Sequence, residues 1–109
     1  MLESILGSAV KERILLYLYT RGEGHVRDMA KTFEGYPTAF QRQIKILERG
    51  GVLVSRLKGR TRLYGFNPRY PFKTELEKLL GKALAFIPHK EKSKYYTPRL
   101  RPRRAGKPL

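Results

Sequence analysis

Residues 36–67 read YPTAFQRQIKILERGGVLVSRLKGRTRLYGFN, and the first part of this stretch predicts a helix. Pro37 suits the first helical position, because the N–H group that proline lacks would be unpaired there. Apolar residues then recur at helical spacing. Gly50 and Gly51 end the helix. We therefore expect a helix over residues 37–49 that buries one face.

The second part of the same stretch predicts a β-hairpin. Residues 52–58 and 61–67 are rich in branched and aromatic side chains, which is typical of strands. Gly59 stands at the first central position of the two-residue loop between them, where a type II′ turn requires a positive φ. A helix that runs directly into a short hairpin is the result.

The net charge of +15 is concentrated in two parts of the chain. Residues 40–69 hold eight basic side chains against a single acidic one, and residues 88–109 also hold eight against one. Residues 1–39 are neutral, with five of each sign. Solubility alone does not require such segregation. A positive field that points in one direction instead favours a polyanionic partner.

Length and composition exclude several classes of protein. A chain of 109 residues has room for one small hydrophobic core. It has no cysteine and only two histidines, His25 and His89, so we expect no disulfide, no metal site and no cofactor. The longest apolar run, residues 14–19, is about a third of the ~20 residues that a membrane helix needs. Without a basic N-terminal signal region, the expected location is cytoplasmic, away from the membrane.

Three further helices are expected around the central stretch. The first runs from an N-cap at Ser4 to about Tyr19, and the second covers residues 25–33. In the turn after the second helix, Gly35 is free to take a positive φ. The last helix opens with the capping box Thr74-x-x-Glu77 and carries one wide apolar stripe.

The predicted fold class is mainly α with a small β-hairpin, an α+β winged helix-turn-helix with a three-helix core, a wing and a C-terminal helix. We expect this domain to cover residues 1–87. Residues 88–109 hold four prolines, many cations and few large apolar groups. That composition cannot offset the entropy of ordering a core, so we expect a basic arm that is flexible when free.

Excess apolar surface on the first and last helices indicates a homodimer. Residues 14–19 are apolar nearly all round, so that helix must bury more than one face. The same helix of a second subunit is the simplest partner for the second face. The expected dimer interface comprises Ile14, Leu15, Leu18, Leu80, Leu84 and Ile87.

A helix followed by a basic hairpin is the arrangement with which winged helix-turn-helix proteins read double-stranded DNA. We expect helix 37–49 to lie in the major groove and wing 56–62 to lie on the adjacent groove or backbone. The expected contacts are Thr38, Gln41, Arg42, Gln43 and Lys45 on the recognition helix, and Arg56, Lys58, Gly59, Arg60 and Arg62 in the wing. In the arm, Arg99, Arg101, Arg103 and Arg104 are expected to contact the DNA backbone.

Simpler interpretations of these residues stand beside the functional one. Polar side chains on a helix can merely face solvent, and a charged hairpin can serve to prevent edge-to-edge aggregation. The arm can stabilise a dimer instead of binding DNA. Catalysis has little support, because the sequence shows no Ser, His and Asp set and no glycine-rich phosphate loop. We expect no enzymatic activity.

From Leu2 to about Ala85 the chain resembles the ArsR-like group of winged helix-turn-helix transcriptional regulators. The resemblance rests on these motifs: Leu6-Gly7-Ser8, Lys11-x-Arg13-Ile14-Leu15, Val26-Arg27-Asp28-Met29-Ala30, Leu47-Glu48-x-x-Gly51-Val52-Leu53 and Lys58-Gly59-Arg60-x-Arg62-x-Tyr64. It implies the winged fold and DNA binding. The chain departs from the group in two ways. It lacks the sets of cysteine and histidine ligands with which sensors of the group bind metals, and it carries Tyr36 where a small N-cap residue is usual.

These observations together predict a dimeric, sequence-specific DNA-binding protein that acts as a transcriptional regulator, with repression the expected mode. Two alternatives remain open. The chain can be a nucleic-acid-binding protein of another class, either RNA-binding or an architectural or plasmid- or phage-maintenance factor. It can also be an adaptor whose winged helix docks an acidic protein partner.

Overall fold

The computed structural model describes residues 1–97, which form six helices and three short strands. In chain order these are α1 (Glu3–Leu6), α2 (Ala9–Arg21), β1 (Glu23–Gly24), α3 (Val26–Thr32), α4 (Pro37–Arg49), β2 (Leu53–Lys58), β3 (Thr61–Phe66), α5 (Lys73–Phe86) and α6 (His89–Tyr95). The strands form one antiparallel sheet in the order β1-β3-β2. The predicted α+β class is confirmed.

Helix α2 lies at the centre of the domain. Its five consecutive side chains from Ile14 to Leu18 are buried, which requires neighbours on every side of the helix. Helices α1, α4 and α5 and strands β1 and β3 all contact it. The chain therefore covers both faces of this helix by itself, and no second subunit is needed to do so.

The residues predicted for a dimer interface belong to this core. Ile14, Leu15, Leu18 and Leu80 are at most 1% exposed. Ile87 is also buried, and the half-buried Leu84 packs against the same cluster. That assignment is wrong, because side chains that pack inside one chain are not free to cover a second one.

The predicted first helix is two helices. Gly7 adopts a left-handed conformation with φ 83° and ends α1. Ser8, not Ser4, is the N-cap of the following helix, and its hydroxyl accepts a hydrogen bond from the Lys11 N–H at 3.1 Å. A glycine in the left-handed region typically terminates a helix.

The turn before α4 differs from the expectation in one residue. Glu34, not Gly35, carries the positive φ, at 56°. Gly35 is needed there for space, because a Cβ atom built on it would lie 2.8 Å from Cε1 of Phe40. Helix α4 itself has the predicted bounds, with Pro37 in its first turn.

The hairpin follows the prediction closely. Lys58 pairs with Thr61, and Gly59 between them has φ 63°, as a type II′ turn requires. The side-chain amide of Asn67 donates to the Gly51 carbonyl at 2.9 Å and ties the end of β3 to the end of α4. Strand β1, which pairs with β3 and completes the sheet, was not predicted.

The capping box at the start of the last predicted helix does not form. Phe72 is the N-cap residue of α5 and makes no side-chain hydrogen bond to the helix. Glu77 instead accepts a hydrogen bond from Nζ of Lys73 at 3.0 Å, one helical turn away. Among residues 1–97, no helix combines the length and apolarity needed to cross a membrane.

The segment after Pro88 is helical and packed, at least as far as it is described. Helix α6 places Tyr95 against Phe33, with the ring centroids 5.0 Å apart. Tyr96 follows with only 4% of its surface exposed. The predicted boundary between domain and arm at residue 88 is therefore wrong, because these two tyrosines join the core. Residues beyond 97 lie outside the described part.

Replacing Tyr96 by alanine should lower the free energy of unfolding by roughly 3 kcal/mol, since truncating a buried aromatic side chain removes contacts and leaves a cavity. Urea denaturation measures this loss. Tyr36, 80% exposed, provides the matched control, and its alanine variant should change the free energy by less than about 0.5 kcal/mol. Equal effects of the two substitutions would contradict the packing of α6 on the domain.

Candidate nucleic-acid interface

Helix α4 presents a polar stripe to solvent. Phe40, Ile44 and Leu47 are buried on one side, as expected from their spacing of three and four residues. The exposed residues on the opposite side are Thr38, Arg42, Lys45 and Arg49. At roughly 100° of rotation per residue, these four side chains share one face of the helix. Three of the five residues predicted to contact nucleic acid thus lie together.

The two glutamines predicted for the same role lie on different flanks of α4. Residues two positions apart in a helix are separated by roughly 200° of rotation about its axis. Gln41 lies on the flank toward the hairpin and lines a cleft there. Gln43 is half-buried on the other flank. The structure therefore groups Gln41 with the polar stripe and removes Gln43 from it.

A cleft of about 540 Å³ separates α4 from the hairpin. Its lining comprises His25, Val26, Gln41, Lys45, Glu48, Arg60, Arg62 and Tyr64. Three of these side chains are cationic and one is acidic, so the cleft carries a net positive charge. Such a surface, polar and open to solvent, suits an extended anion such as a phosphate backbone.

A chain of hydrogen bonds holds Arg62 in this cleft. Its guanidinium donates to Oγ of Ser55 at 2.9 Å, and the Ser55 hydroxyl donates to the Glu48 carboxylate at 3.4 Å. Glu48 is the single acid in the basic stretch of residues 40–69. It joins the C-terminal turn of α4 to the hairpin through Ser55.

Strand alternation divides the cations of the hairpin between two faces. Arg62 pairs across the sheet with Leu57, while Arg56 pairs with Leu63 and Lys58 with Thr61. Successive side chains of a strand point to opposite faces. Arg56 and Lys58 therefore lie on the face away from the cleft that Arg62 lines. The four cations predicted for the wing therefore do not form one cluster.

Arg56 is already paired with an anion. Its Nε and Nη2 atoms donate to the two carboxylate oxygens of Glu23 at 2.7 and 2.8 Å. This bidentate bond lowers the pKa of Glu23 and raises the pKa of Arg56. The sequence signal for the pair was missing, because Glu23 lies on the unpredicted strand β1. Of the predicted wing residues, Arg60 and Arg62 are the two cations in the cleft.

Sequence reasoning missed several residues of this region. His25 and Tyr64 line the cleft, but neither was predicted to contact nucleic acid. No sequence signal marks His25 and Tyr64, because their position at the cleft depends on tertiary packing. Tyr36, noted from the sequence as an unusual N-cap, is 80% exposed at the start of α4 and makes no side-chain hydrogen bond to the helix. The predicted arm contacts Arg99, Arg101, Arg103 and Arg104 fall outside residues 1–97.

Metal chemistry has no evident site in the described part of the chain. No group of three or more His, Asp or Glu side chains converges there in a way that could hold a metal ion.

Comparison with known proteins gives one informative likeness. No family model matches the sequence, and no curated protein matches it. Among solved structures, the chain is similar to the X-ray crystal structure of the YusO protein from Bacillus subtilis, with a TM-score of 0.58 and 19% sequence identity. The match covers 86% of this chain and 74% of that one. At this identity the likeness shows a shared fold and nothing more.

Replacing Arg56 by glutamine should raise the pKa of the Glu23 carboxyl group toward the ordinary glutamate value of about 4.3, because the guanidinium that stabilises the carboxylate is lost. The folded-state pKa is depressed in the wild type. The pair therefore stabilises the fold above the unfolded-state pKa, and this contribution disappears as the pH falls through the folded-state pKa. An NMR titration of the Glu23 side-chain carboxyl carbon follows the change.

The matched control for this titration is Arg62→Gln, on the other face of the same hairpin. It should leave the pKa of Glu23 where it is in the wild type. A shift of similar size in both variants would mean that the two arginines act on one face, against the register described above.

Proposed function

We propose that the protein binds double-stranded DNA in a sequence-specific manner through a winged helix-turn-helix, as a transcriptional regulator that represses by occupying its site. The observation that carries this proposal is the cleft in which α4 and the hairpin meet. Lys45 from the helix and Arg60 and Arg62 from the hairpin line it together, while the charge of Arg56 on the opposite face is already paired. Within residues 1–97, the three cations that line the cleft form no salt bridge with an acid, and they lie on the side where α4 is polar.

In this proposal helix α4 occupies the major groove. An α-helix with its side chains is about 10–12 Å wide, which fits a groove about 12 Å wide. Arg42 lies on the outward face and can offer its planar fork to N7 and O6 of a guanine. Gln41 can bridge N6 and N7 of an adenine, and Thr38 near the helix start can contact a phosphate.

The hairpin serves as the wing. Arg60 and Arg62 approach the phosphates beside α4, and the exposed tip at Lys58 and Gly59 extends toward the adjacent groove. The hydrogen bonds from Arg62 through Ser55 to Glu48 support this role, because they join the wing to the helix. A wing joined to the helix contacts the phosphates beside it and so helps to set the register of the helix on the duplex.

Replacing Arg42 by alanine should cost roughly 1–3 kcal/mol in binding to a duplex selected by the wild-type protein from a random pool. The preference at one base position should relax, because the fork that distinguishes guanine is gone.

Replacing Arg62 by glutamine should weaken binding to selected and random duplexes alike. It should also flatten the slope of log affinity against log salt by roughly 0.9. Fluorescence anisotropy at several salt concentrations measures both effects.

Arg56→Gln is the matched control for Arg62→Gln, since it removes the same charge from the same hairpin. It should change the salt slope less, because Arg56 lies on the face away from the cleft and its charge is already paired with Glu23, so it is not placed to contact a phosphate. A pool that yields no enriched sequence would contradict sequence-specific binding. Stronger binding to RNA than to any duplex would favour the RNA-binding alternative, and salt-insensitive binding to an acidic protein would favour the adaptor.

The proposal includes a homodimer, which would place two α4 helices in successive major grooves, about 34 Å apart. The dimer must use exposed apolar side chains instead of the core residues first assigned to it. Ile5 on α1 and Phe72 and Phe86 at the two ends of α5 are 61–70% exposed and suit this role.

Sedimentation at micromolar concentration should therefore give a species heavier than the 12.7 kDa monomer, and Phe86→Ser should shift it toward the monomer. Tyr36→Ser, at an exposed aromatic residue beside α4, is the control and should leave the mass unchanged. A strict monomer with and without the selected duplex would rule out the dimer.

A further inference from the structure

A second cleft, of about 510 Å³, lies where α6 meets α2 and the turn after α3. Its principal side chains are Arg13, Phe33, Lys90, Lys94, Tyr95 and Tyr96. None of them belongs to the surface formed by α4 and the hairpin. A concave site of this volume is in the range that holds one small molecule.

The cleft combines aromatic walls with unbalanced positive charge. Tyr95 stacks on Phe33 at 5.0 Å and 24°, and Tyr96 lies 5.7 Å from the same ring. The Arg13 guanidinium is 5.6 Å from the centre of the Phe33 ring. Three cations line the cleft against one acid, Glu91, while Glu34 beside the cleft acts on the charge of Lys94. The cations still outnumber these two acids, so their charges favour an anion between them.

We propose that this cleft binds a small aromatic anion, such as an aryl carboxylate. The aromatic ring of the ligand packs against Phe33 and Tyr95, and its carboxylate lies between Arg13 and Lys94. An arginine fork matches the two oxygens of a carboxylate, and ring-to-ring contact adds to the binding.

The ligand would contact a residue that also packs on α4. Phe33 stacks on Phe40 of that helix, with the ring centroids 6.0 Å apart and the planes at 17°. Phe40 is 1% exposed, so it has little room to adjust independently. A ligand in the cleft should therefore change the environment of the N-terminal half of α4.

The test is an NMR titration of the whole protein, without nucleic acid, with benzoate. Benzyl alcohol supplies the ring without the charge, and acetate supplies the carboxylate without the ring. Benzoate should give saturable shifts at Phe33, Tyr95 and Tyr96 and a smaller shift at the amide of Phe40. Each of the two partial ligands should bind at least roughly tenfold more weakly, since each loses one class of contact.

Arg13→Gln and Lys94→Gln should each weaken benzoate binding by roughly tenfold, because each removes one charged partner of the carboxylate. Both residues are exposed, so neither substitution disturbs the core. Lys82→Gln, an exposed cation of α5 outside the cleft, is the control and should leave binding unchanged.

Three results would overturn the proposal. They are no saturation with benzoate, equal affinity for benzoate and acetate, or a loss of benzoate affinity in Lys82→Gln as large as in Arg13→Gln and Lys94→Gln. A short single-stranded oligonucleotide that saturates the same residues more tightly than benzoate would replace it with a nucleic-acid site. Since no duplex is present in the titration, failure here leaves the proposed function of α4 and the hairpin untouched, and the reverse also holds.

Discussion

The burial of helix α2 on every side is the constraint on which the rest of the structure depends. Five consecutive side chains, Ile14 to Leu18, have almost no exposed surface, which a helix reaches only with neighbours all around it. Burying a side chain of this size contributes about 1.5–3 kcal/mol. An uncovered face would remove much of the total stability of a typical domain, about 5–15 kcal/mol. One chain covers every side of α2, with helices α1, α4 and α5 and strands β1 and β3.

Packing against α2 also decides where the charges lie. Helix α4 turns Phe40, Ile44 and Leu47 toward the core, which leaves its cations on the outward face. Apolar packing also orients the sheet, because Tyr64 is buried on the face that carries Arg62. A slip of one residue in the register of β3 would move Arg62 out of the cleft and take Tyr64 out of the core. The position of the cations is therefore fixed by apolar packing.

Sequence reasoning succeeded where local chemistry decides the structure. Pro37 and the two glycines after Arg49 bound α4 correctly, and Gly59 set the hairpin turn. It failed where distant contacts decide. Strand β1 has only two residues and no periodicity, and α6 is a short charged segment that gains its order from Tyr95 and Tyr96 on the core. For the candidate site, the residue types were available from sequence, but their division between two faces required the register and the pairing partner of Arg56.

Phe33 connects the two surfaces of the molecule. It lies within 6.3 Å, ring to ring, of Tyr17 in α2, Phe40 in α4 and both tyrosines at the end of α6. The residue after it, Glu34, holds a left-handed conformation that is unfavourable for glutamate, and the packing around it must offset that cost. The turn that aims α4 is thus supported from the α6 side. Under the proposed function, α4 binds DNA. A molecule that binds on the α6 side and changes the affinity of α4 for DNA must then have its own affinity changed by DNA by the same factor.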